Sequence, residues 1–216
     1  MPSVHMNTKK HDAIAAELIA GKQGSVRLLE LLRTKVRGQY TFYQDRGVAL
    51  LAVINKGRTA SLVTSMPTTE TESNGLQLLL RQATDALRRQ SLTLAQIVLN
   101  EPVPHFQLQA LKEAGFEELA KLCYLERQAH AHIPHYVRHS EIHFQSMELF
   151  SDVELGTILE ETYIGSLDCP NLHGVRPIED IIECHRMTSP YRPAFWFIGS
   201  VDQSPACVLL LNPNGD

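Results

Sequence analysis

The densest group of potential metal ligands in the sequence is a set of five histidines: His130, His132, His135, His139 and His143. On a helix, the last three of them would share one face at the spacing i, i+4, i+8, and imidazole is a common zinc ligand. However, Pro134 interrupts any helix at this point, and no cysteine lies within the group. We therefore predict no metal site, and we interpret residues 128–140 as a His-rich polar linker that gains positive charge below neutral pH.

Other residues of types that carry catalytic chemistry have simpler explanations. Glu101 follows a short apolar segment and is a candidate general base, although a carboxylate beside Pro102 also suits a turn cap. Tyr124 falls on a predicted strand and is expected to pack in the core. The four cysteines contain no C-x-x-C pair, which favours reduced thiols over a disulfide framework. We assign no residue as catalytic.

Composition bounds the class of protein. The chain has 216 residues, of which 44% are hydrophobic and 20% charged, in the range of globular domains. Its formal net charge of −4 provides no broad basic field, so nucleic acid is not an expected partner. No apolar run approaches the roughly 20 residues of a membrane span, and acidic residues interrupt the N-terminal segment. The sequence therefore predicts a cytoplasmic protein with no membrane partner.

The elements that would position these residues follow from hydrophobic periodicity. Two helices are predicted over residues 12–20 and 25–37, followed by strands at 40–43, 47–54 and 58–66. A polar loop at 67–74 precedes an amphipathic helix whose apolar face repeats at helical spacing: Leu76, Leu79, Leu80, Ala83 and Leu87. A strand at 94–99, a helix at 105–114 and a strand at 116–125 complete a predicted domain over residues 1–127.

The opening order of elements returns after the linker. A strand is predicted at residues 141–147, and Ser151 with Glu154 forms a capping-box signature for a helix. Pro177 is expected at the first position of a second helix. Strands at 194–201 and 206–211 follow. We therefore predict a second, partial domain over residues 141–216, and an α/β (α+β) fold with a mixed, mostly antiparallel sheet flanked by helices.

This order of elements resembles that of the GNAT superfamily of N-acetyltransferases. Three stretches carry the resemblance: the strand, loop and helix over residues 59–89, the helix closed by Ala114-Gly115-Phe116, and residues 162–213. Together they are similar to one GNAT domain and the first half of a second, as in tandem-domain members. The resemblance implies an acetyl-CoA-dependent N-acetyltransferase acting on an unidentified small-molecule amine or peptide. It also implies acetyl-CoA as the cofactor.

The family binds the pyrophosphate of acetyl-CoA at a helix N-terminus, ahead of which stands the pattern Gln/Arg-x-x-Gly-x-Gly/Ala. Laid onto this chain, that pattern falls on residues 70–75. The resemblance implies a cofactor site made of six residues: Ser65, Met66, Ser73, Asn74, Gly75 and Leu76. Glu70 and Glu72 depart from the pattern by bringing negative charge close to a diphosphate. The alternative is a solvated loop with an Asn-Gly cap.

Two features favour a second hypothesis, a non-catalytic GNAT-like binding or scaffold module whose active half is absent or supplied by another chain. Leu111 occupies the position at which many members of the family place a tyrosine that acts as the general acid. The second copy stops before the elements that would build its own cofactor site. Its last predicted strand, residues 206–211, would then be an edge that pairs with the first domain or with a second copy, as in a homodimer.

Overall fold

The computed structural model describes residues 9–36, 39–123, 142–167, 169–187 and 191–213. The chain divides into two compact units, Met1–Glu118 and Leu119–Asp216. The division falls nine residues before the end of the first domain expected at residue 127, and the predicted linker lies outside the described residues. Within the described ranges, no helix is both long and apolar enough to cross a membrane.

The first unit is an α/β structure built on a mixed, mostly antiparallel four-stranded sheet. Its elements, in chain order, are α1 (Lys9–Leu31), a π-helical turn (Leu32–Val36), β1 (Tyr40–Asp45), β2 (Val48–Asn55), β3 (Thr59–Thr64), α2 (Glu70–Arg89), β4 (Leu94–Gln96) and α3 (His105–Glu113). The strands lie in the order β1-β2-β3-β4. The first two pairings are antiparallel, and β4 runs parallel to β3.

The sheet separates two apolar layers because side chains alternate along β2. Val48, Leu50 and Ala52 face α2 and α3, whereas Ala49 and Leu51 face α1. All five side chains are buried. Fully buried strands of this kind show continuous apolar runs, and residues 48–54 are such a run.

Helix α1 contains a kink where two helices were predicted. Gly21 has a φ of 70°, outside the helical region. An L-residue with a side chain adopts that conformation only at a cost, whereas glycine has no Cβ to clash. The predicted stop at Gly21 is therefore confirmed as a change of helix direction. Ala15 and Ala16, before the kink, pack against Phe42 of β1.

Two strand predictions in this unit differ from the structure. Residues 94–99 form a strand only over Leu94–Gln96. Residues 116–123 form no strand, and the rest of that predicted element lies outside the described residues. The chain leaves α3 through Gly115, whose φ is 88°, and the Phe116 amide donates to the Leu111 carbonyl at 3.0 Å. This Schellman-type ending turns Phe116 back onto the core, and the acidic pair after it breaks the apolar alternation.

The second unit is a three-stranded antiparallel sheet with two helices. Its main elements are β5 (His143–Ser146), α4 (Asp152–Tyr163), α5 (Ile178–Met187), β6 (Trp196–Val201) and β7 (Ser204–Leu210), with 3-10 turns at Met147–Leu149, Pro170–Leu172 and Pro193–Phe195. The strand order is β5-β6-β7. The capping box on Ser151 and Glu154 is confirmed. Pro177 lies just before α5, one position earlier than predicted.

Trp196 and Asn212 organise the core of this unit. Trp196 is fully buried among Leu155, Leu159 and Ile182. Its indole N–H donates to the Asn212 Oδ1 at 3.1 Å. The Asn212 Nδ2 donates in turn to the carbonyl of His185, at 3.2 Å. One side-chain amide therefore connects the segment after β7 with β6 and α5.

Candidate functional site

The beginning of helix α2 is the part of the first unit where the sequence predicts a cofactor. The helix starts at Glu70, with Thr69 as its N-cap, which is five to six residues earlier than the sequence pattern suggested. The Thr69 hydroxyl accepts from the Glu72 amide at 3.2 Å. The predicted polar loop at 67–74 is therefore wrong over most of its length. The cause is a Thr-x-x-Glu cap at residues 69–72, which starts the helix before the apolar repeat begins.

The carboxylate of Glu72 already lies at the end of this helix. It accepts from the Thr68 amide at 2.6 Å and from the Thr68 hydroxyl at 2.8 Å. The hydrogen bond from the Thr68 backbone, followed by that from its side chain, lowers the pKa of Glu72 below its usual 4.5. The chain thus places its own negative charge where the helix dipole favours an anion.

Four of the six predicted cofactor residues lie inside the helix. The Ser73 amide donates to the Thr69 carbonyl at 2.9 Å. Asn74, Gly75 and Leu76 follow it in the helical ladder, where each amide bonds to the carbonyl four residues earlier. An amide used in this way is not available to a phosphate oxygen. The structure does not bring these four backbone amides together as an anion-binding loop.

The side chains of the same positions serve packing. The Ser73 hydroxyl donates to the Phe106 carbonyl at 2.9 Å and so connects α2 with α3. A Cβ added to Gly75 would lie 3.2 Å from the Val48 Cγ2 and 3.5 Å from the Asp45 carbonyl. The missing side chain of Gly75 therefore allows α2 to approach the β1–β2 turn. Leu76 is fully buried.

The remaining two predicted cofactor residues lie just after β3 and differ from each other. Ser65 is buried, with its amide donating to the Ala49 carbonyl and its hydroxyl accepting from the Ala49 amide, both at 2.9 Å. Met66 is 70% exposed. Asn74 is the other exposed member of the set. Of the six positions, only Met66 and Asn74 therefore have exposed side chains.

Strands β3 and β4 separate close to this helix end. Their parallel pairing covers Thr59 to Ser61 and stops there. Beyond it, the buried Gln107 of α3 donates through Nε2 to the Thr64 Oγ1 at 2.8 Å. A side chain from α3 thus contacts β3 on the stretch that β4 leaves unpaired. This hydrogen bond was not foreseen, because a glutamine within an apolar helix has no distinctive sequence signal.

Within the part of the chain that the structure describes, no residue can be assigned as catalytic. Leu111 is buried in the core of the first unit, as its apolar character requires. Glu101 is exposed in a bend, at a cis peptide bond to Pro102. Tyr124 lies outside the described residues. Leu111 has no proton to donate, so its position supplies no general acid, and catalytic residues stay unassigned.

The histidine group is mostly outside the described residues, which include only His143, exposed on β5. In the part of the chain that is described, no three His, Cys, Asp or Glu side chains are arranged to hold a metal ion. Cys169 has a φ of 47° and is half-buried before a 3-10 turn. No additional cofactor or metal site follows from these residues.

A cleft that sequence reasoning missed lies in the second unit. It has a volume of about 440 Å³. Its walls include Leu159 and Tyr163 of α4, His185 of α5, and Ala206, Val208 and Leu210 of β7. Burial lowers the pKa of the His185 imidazole below its usual 6.5, and the positive charge of Arg176 lowers it further. A histidine on the apolar face of a helix was the available signal.

The cleft lies beside a free edge of the sheet. Strand β7 pairs with β6 on one side only, and no described strand pairs with its other side. Its seven residues include no charged side chain. Edge strands in natural proteins usually carry a charge, a bulge or a cover that prevents pairing with another chain. Strand β7 has no charge but does have two other protective features: its register with β6 shifts between Gly199 and Ser200, which leaves Ala206 opposite no residue of β6, and Pro205 lacks an N–H.

Comparison with known proteins returned no match: no family model fits the chain, and no curated protein or solved structure is similar to it. The resemblance to the GNAT superfamily therefore rests on the order of elements and the short motifs described above.

Proposed function

We propose that this chain is a GNAT-like binding or scaffold module that does not use acetyl-CoA and that associates with another chain through β7. The observation that carries the proposal is the position of α2. Because this helix begins at Glu70, the residues matching the phosphate-binding pattern of the family lie within the helix, and the amides from Glu72 to Gly75 are already bonded. Glu72 adds a resident carboxylate at the same end.

Three further observations support this proposal. Gly75 and Ser73 are in close contact with neighbouring elements, so neither residue is left to contact a ligand. Leu111 is a core residue and supplies no acid for a departing thiolate. The uncharged free edge of β7 provides a surface suited to protein association.

The second candidate is an acetyl-CoA-dependent N-acetyltransferase. One observation favours it: β3 and β4 part after three residue pairs, next to a helix whose first amides precede the hydrogen-bonded ladder. In that function Met66 and Asn74, the two exposed members of the predicted set, would contact the cofactor. The acceptor amine remains unidentified.

Titration calorimetry with acetyl-CoA separates the two candidates. We expect no saturable heat up to millimolar acetyl-CoA. Saturable binding that is weakened by Met66→Glu and Asn74→Glu would overturn the proposal in favour of the enzyme. Both positions are exposed, so the substitutions leave the core intact. The matched control is Gln90→Glu at the opposite end of α2, which adds the same charge away from the predicted site.

A further inference from the structure

We propose that the cleft of the second unit binds a small monocarboxylate with an aliphatic tail. The tail lies on Leu159, Val208 and Leu210, and the carboxylate accepts a hydrogen bond from the ring of His185. This inference goes beyond the proposed function, which concerns association with another chain.

The size and the lining of the cleft are those of a small-molecule site. Its volume of about 440 Å³ falls within the roughly 300–1,000 Å³ that is typical of such sites. Leu159, Val208 and Leu210 provide an apolar wall, and Thr162 and His185 provide polar groups. A mainly apolar lining with a few polar groups suits a ligand that has an apolar body and one polar end.

The walls of the cleft are held in place by the core. Leu159 is a buried member of the core of the second unit, and Val208 and Leu210 pack against that core. The backbone of His185 is fixed as well, because the Asn212 Nδ2 donates to its carbonyl at 3.2 Å. The cleft is therefore preformed, and a ligand loses little affinity to ordering of the protein.

The imidazole of His185 has no hydrogen-bond partner in the described part of the chain. Its own carbonyl is bonded, but no described group forms a hydrogen bond with the ring. The residue is nevertheless half-buried, and burial lowers the pKa of the imidazole below 6.5, so the ring is mainly neutral at neutral pH. A neutral imidazole has one N–H donor. Because buried polar groups usually have partners, a ligand in the cleft supplies the missing acceptor.

The charges around the cleft favour a carboxylate over an amine. The positive charge of Arg176 acts on the His185 ring. None of the described residues that line the cleft is acidic, although Glu161 and Glu183 are close to it in sequence. An ammonium group would be repelled by Arg176 and would find no carboxylate in the lining. A carboxylate is attracted by the same charge and accepts the imidazole N–H.

Methyl NMR of the full-length chain with octanoate, butanoate and octylamine tests the class of ligand. We expect octanoate to give saturable shifts of the methyl groups of Leu159, Val208 and Leu210. Butanoate should bind more weakly, by up to about fourfold for each methylene that it lacks, and octylamine about tenfold more weakly. The proposal is overturned if octanoate gives no saturable shift, or if butanoate or octylamine binds as tightly.

Two threonines of α4 provide a matched pair of variants. Thr162 lines the cleft, whereas Thr157 does not. Both are exposed, and both hydroxyls donate to a carbonyl of the preceding helical turn. Thr162→Glu should weaken octanoate binding about tenfold through charge repulsion, and Thr157→Glu should leave it unchanged. Equal affinities in the two variants, with circular dichroism showing both folded, would contradict the proposal.

His185→Leu tests the polar end of the site. This variant keeps an apolar wall but removes the N–H donor, so most of the preference for octanoate over octylamine should be lost. A preference that is unchanged would overturn the assignment of the carboxylate to His185. All of these readouts concern the second unit, so their failure is distinct from the outcome of the acetyl-CoA titration, which concerns the beginning of α2.

Discussion

The first turns of α2 and α4 have almost the same chemistry, although only one of them was expected to bind a cofactor. In α4, Ser151 caps the helix and Glu154 accepts from the Ser151 amide and hydroxyl, both at 2.8 Å. In α2, Thr69 caps the helix and Glu72 bonds to the residue before the cap. The comparison shows that both carboxylates complete their own helix ends.

The two sites differ in structure only in which residue the carboxylate bonds to, the N-cap in α4 and the residue before it in α2, but they were interpreted differently from the sequence. Ser-x-x-Glu at 151–154 was identified as a capping box, whereas Thr-x-x-Glu at 69–72 was assigned to a family loop. Both patterns have the same physical meaning, since each supplies a hydroxyl and a carboxylate to amides that lack helical partners. Four substitution experiments test how far the equivalence of the two units extends.

We expect the largest effect on the free energy of unfolding from the buried leucines near the beginnings of α2 and α4. Leu76 and Leu155 are both fully buried. Leu76→Ala and Leu155→Ala should each lower the free energy of unfolding by about 2–5 kcal/mol, through lost transfer energy and a residual cavity. Urea denaturation followed by circular dichroism measures both. Trp196 is the one tryptophan of the chain, so its fluorescence reports Leu155→Ala directly. A loss below about 1 kcal/mol at either site would show that its core collapses around the smaller side chain.

The capping hydroxyls should contribute equally if the two helix ends are equivalent. Thr69→Ala and Ser151→Ala are each expected to lower the free energy of unfolding by about 1 kcal/mol, since each leaves an N-terminal amide without its acceptor. The measurement is the urea midpoint of each variant. Thr69→Ser and Ser151→Thr are the controls, because they keep the hydroxyl. A loss at only one of the two sites would break the equivalence.

A buried histidine distinguishes the second unit. The pKa of His185 is lowered from 6.5 by burial and by Arg176, so the folded unit holds fewer protons than the unfolded chain just below that pH. Stability should therefore be full above 6.5, fall as the pH decreases through 6.5, and level off below the folded pKa. Trp196 fluorescence during denaturation at several pH values measures this. In His185→Gln the free energy of unfolding should depend less on pH in this range. An unchanged pH dependence would mean that other titrating groups cause it.

The smallest effects should come from the two exposed carboxylates. Hydrogen bonds from Thr68 and Ser151 lower the pKa of Glu72 and of Glu154 below the usual 4.5. Their contribution to stability is present above 4.5 and is lost as the pH falls through each folded pKa. With Glu72→Gln or Glu154→Gln, the melting temperature should fall less steeply as the pH decreases below 4.5, by similar amounts for the two variants. A steeper change for Glu72 would mean that its site interacts with charge more strongly than that of Glu154.

Local signals predicted most of the fold. These signals depend on residues that are close in sequence. They are the glycines at turns and kinks, the capping box at Ser151 and the apolar repeat from Leu76 to Leu87. The expected strand at 116–125 depended on finding a pairing strand, which sequence alone does not show. Its apolar residues instead follow the helix ending at Gly115, where Phe116 returns to the core.

The candidate site was less predictable because it depends on contacts distant in sequence. The close approach of Gly75 to Val48 and the hydrogen bond from Ser73 to Phe106 join segments that no local pattern relates. The cleft beside β7 combines residues of α4, α5 and β7. Its signal was confined to His185, a polar residue on an apolar helix face. In contrast, the absence of charge in β7 is visible in the sequence and supports the predicted edge.

Asn212 restricts the chemistry of the segment that follows β7. Its amide accepts from Trp196 at one end and donates to the His185 carbonyl at the other. Aspartate has the same shape but two acceptors, so it would set an oxygen against that carbonyl, and leucine would leave both partners unsatisfied. Among side chains of this size, only asparagine supplies a donor and an acceptor at once. The position should therefore tolerate less variation than any of its apolar neighbours, which many other hydrophobic residues can replace.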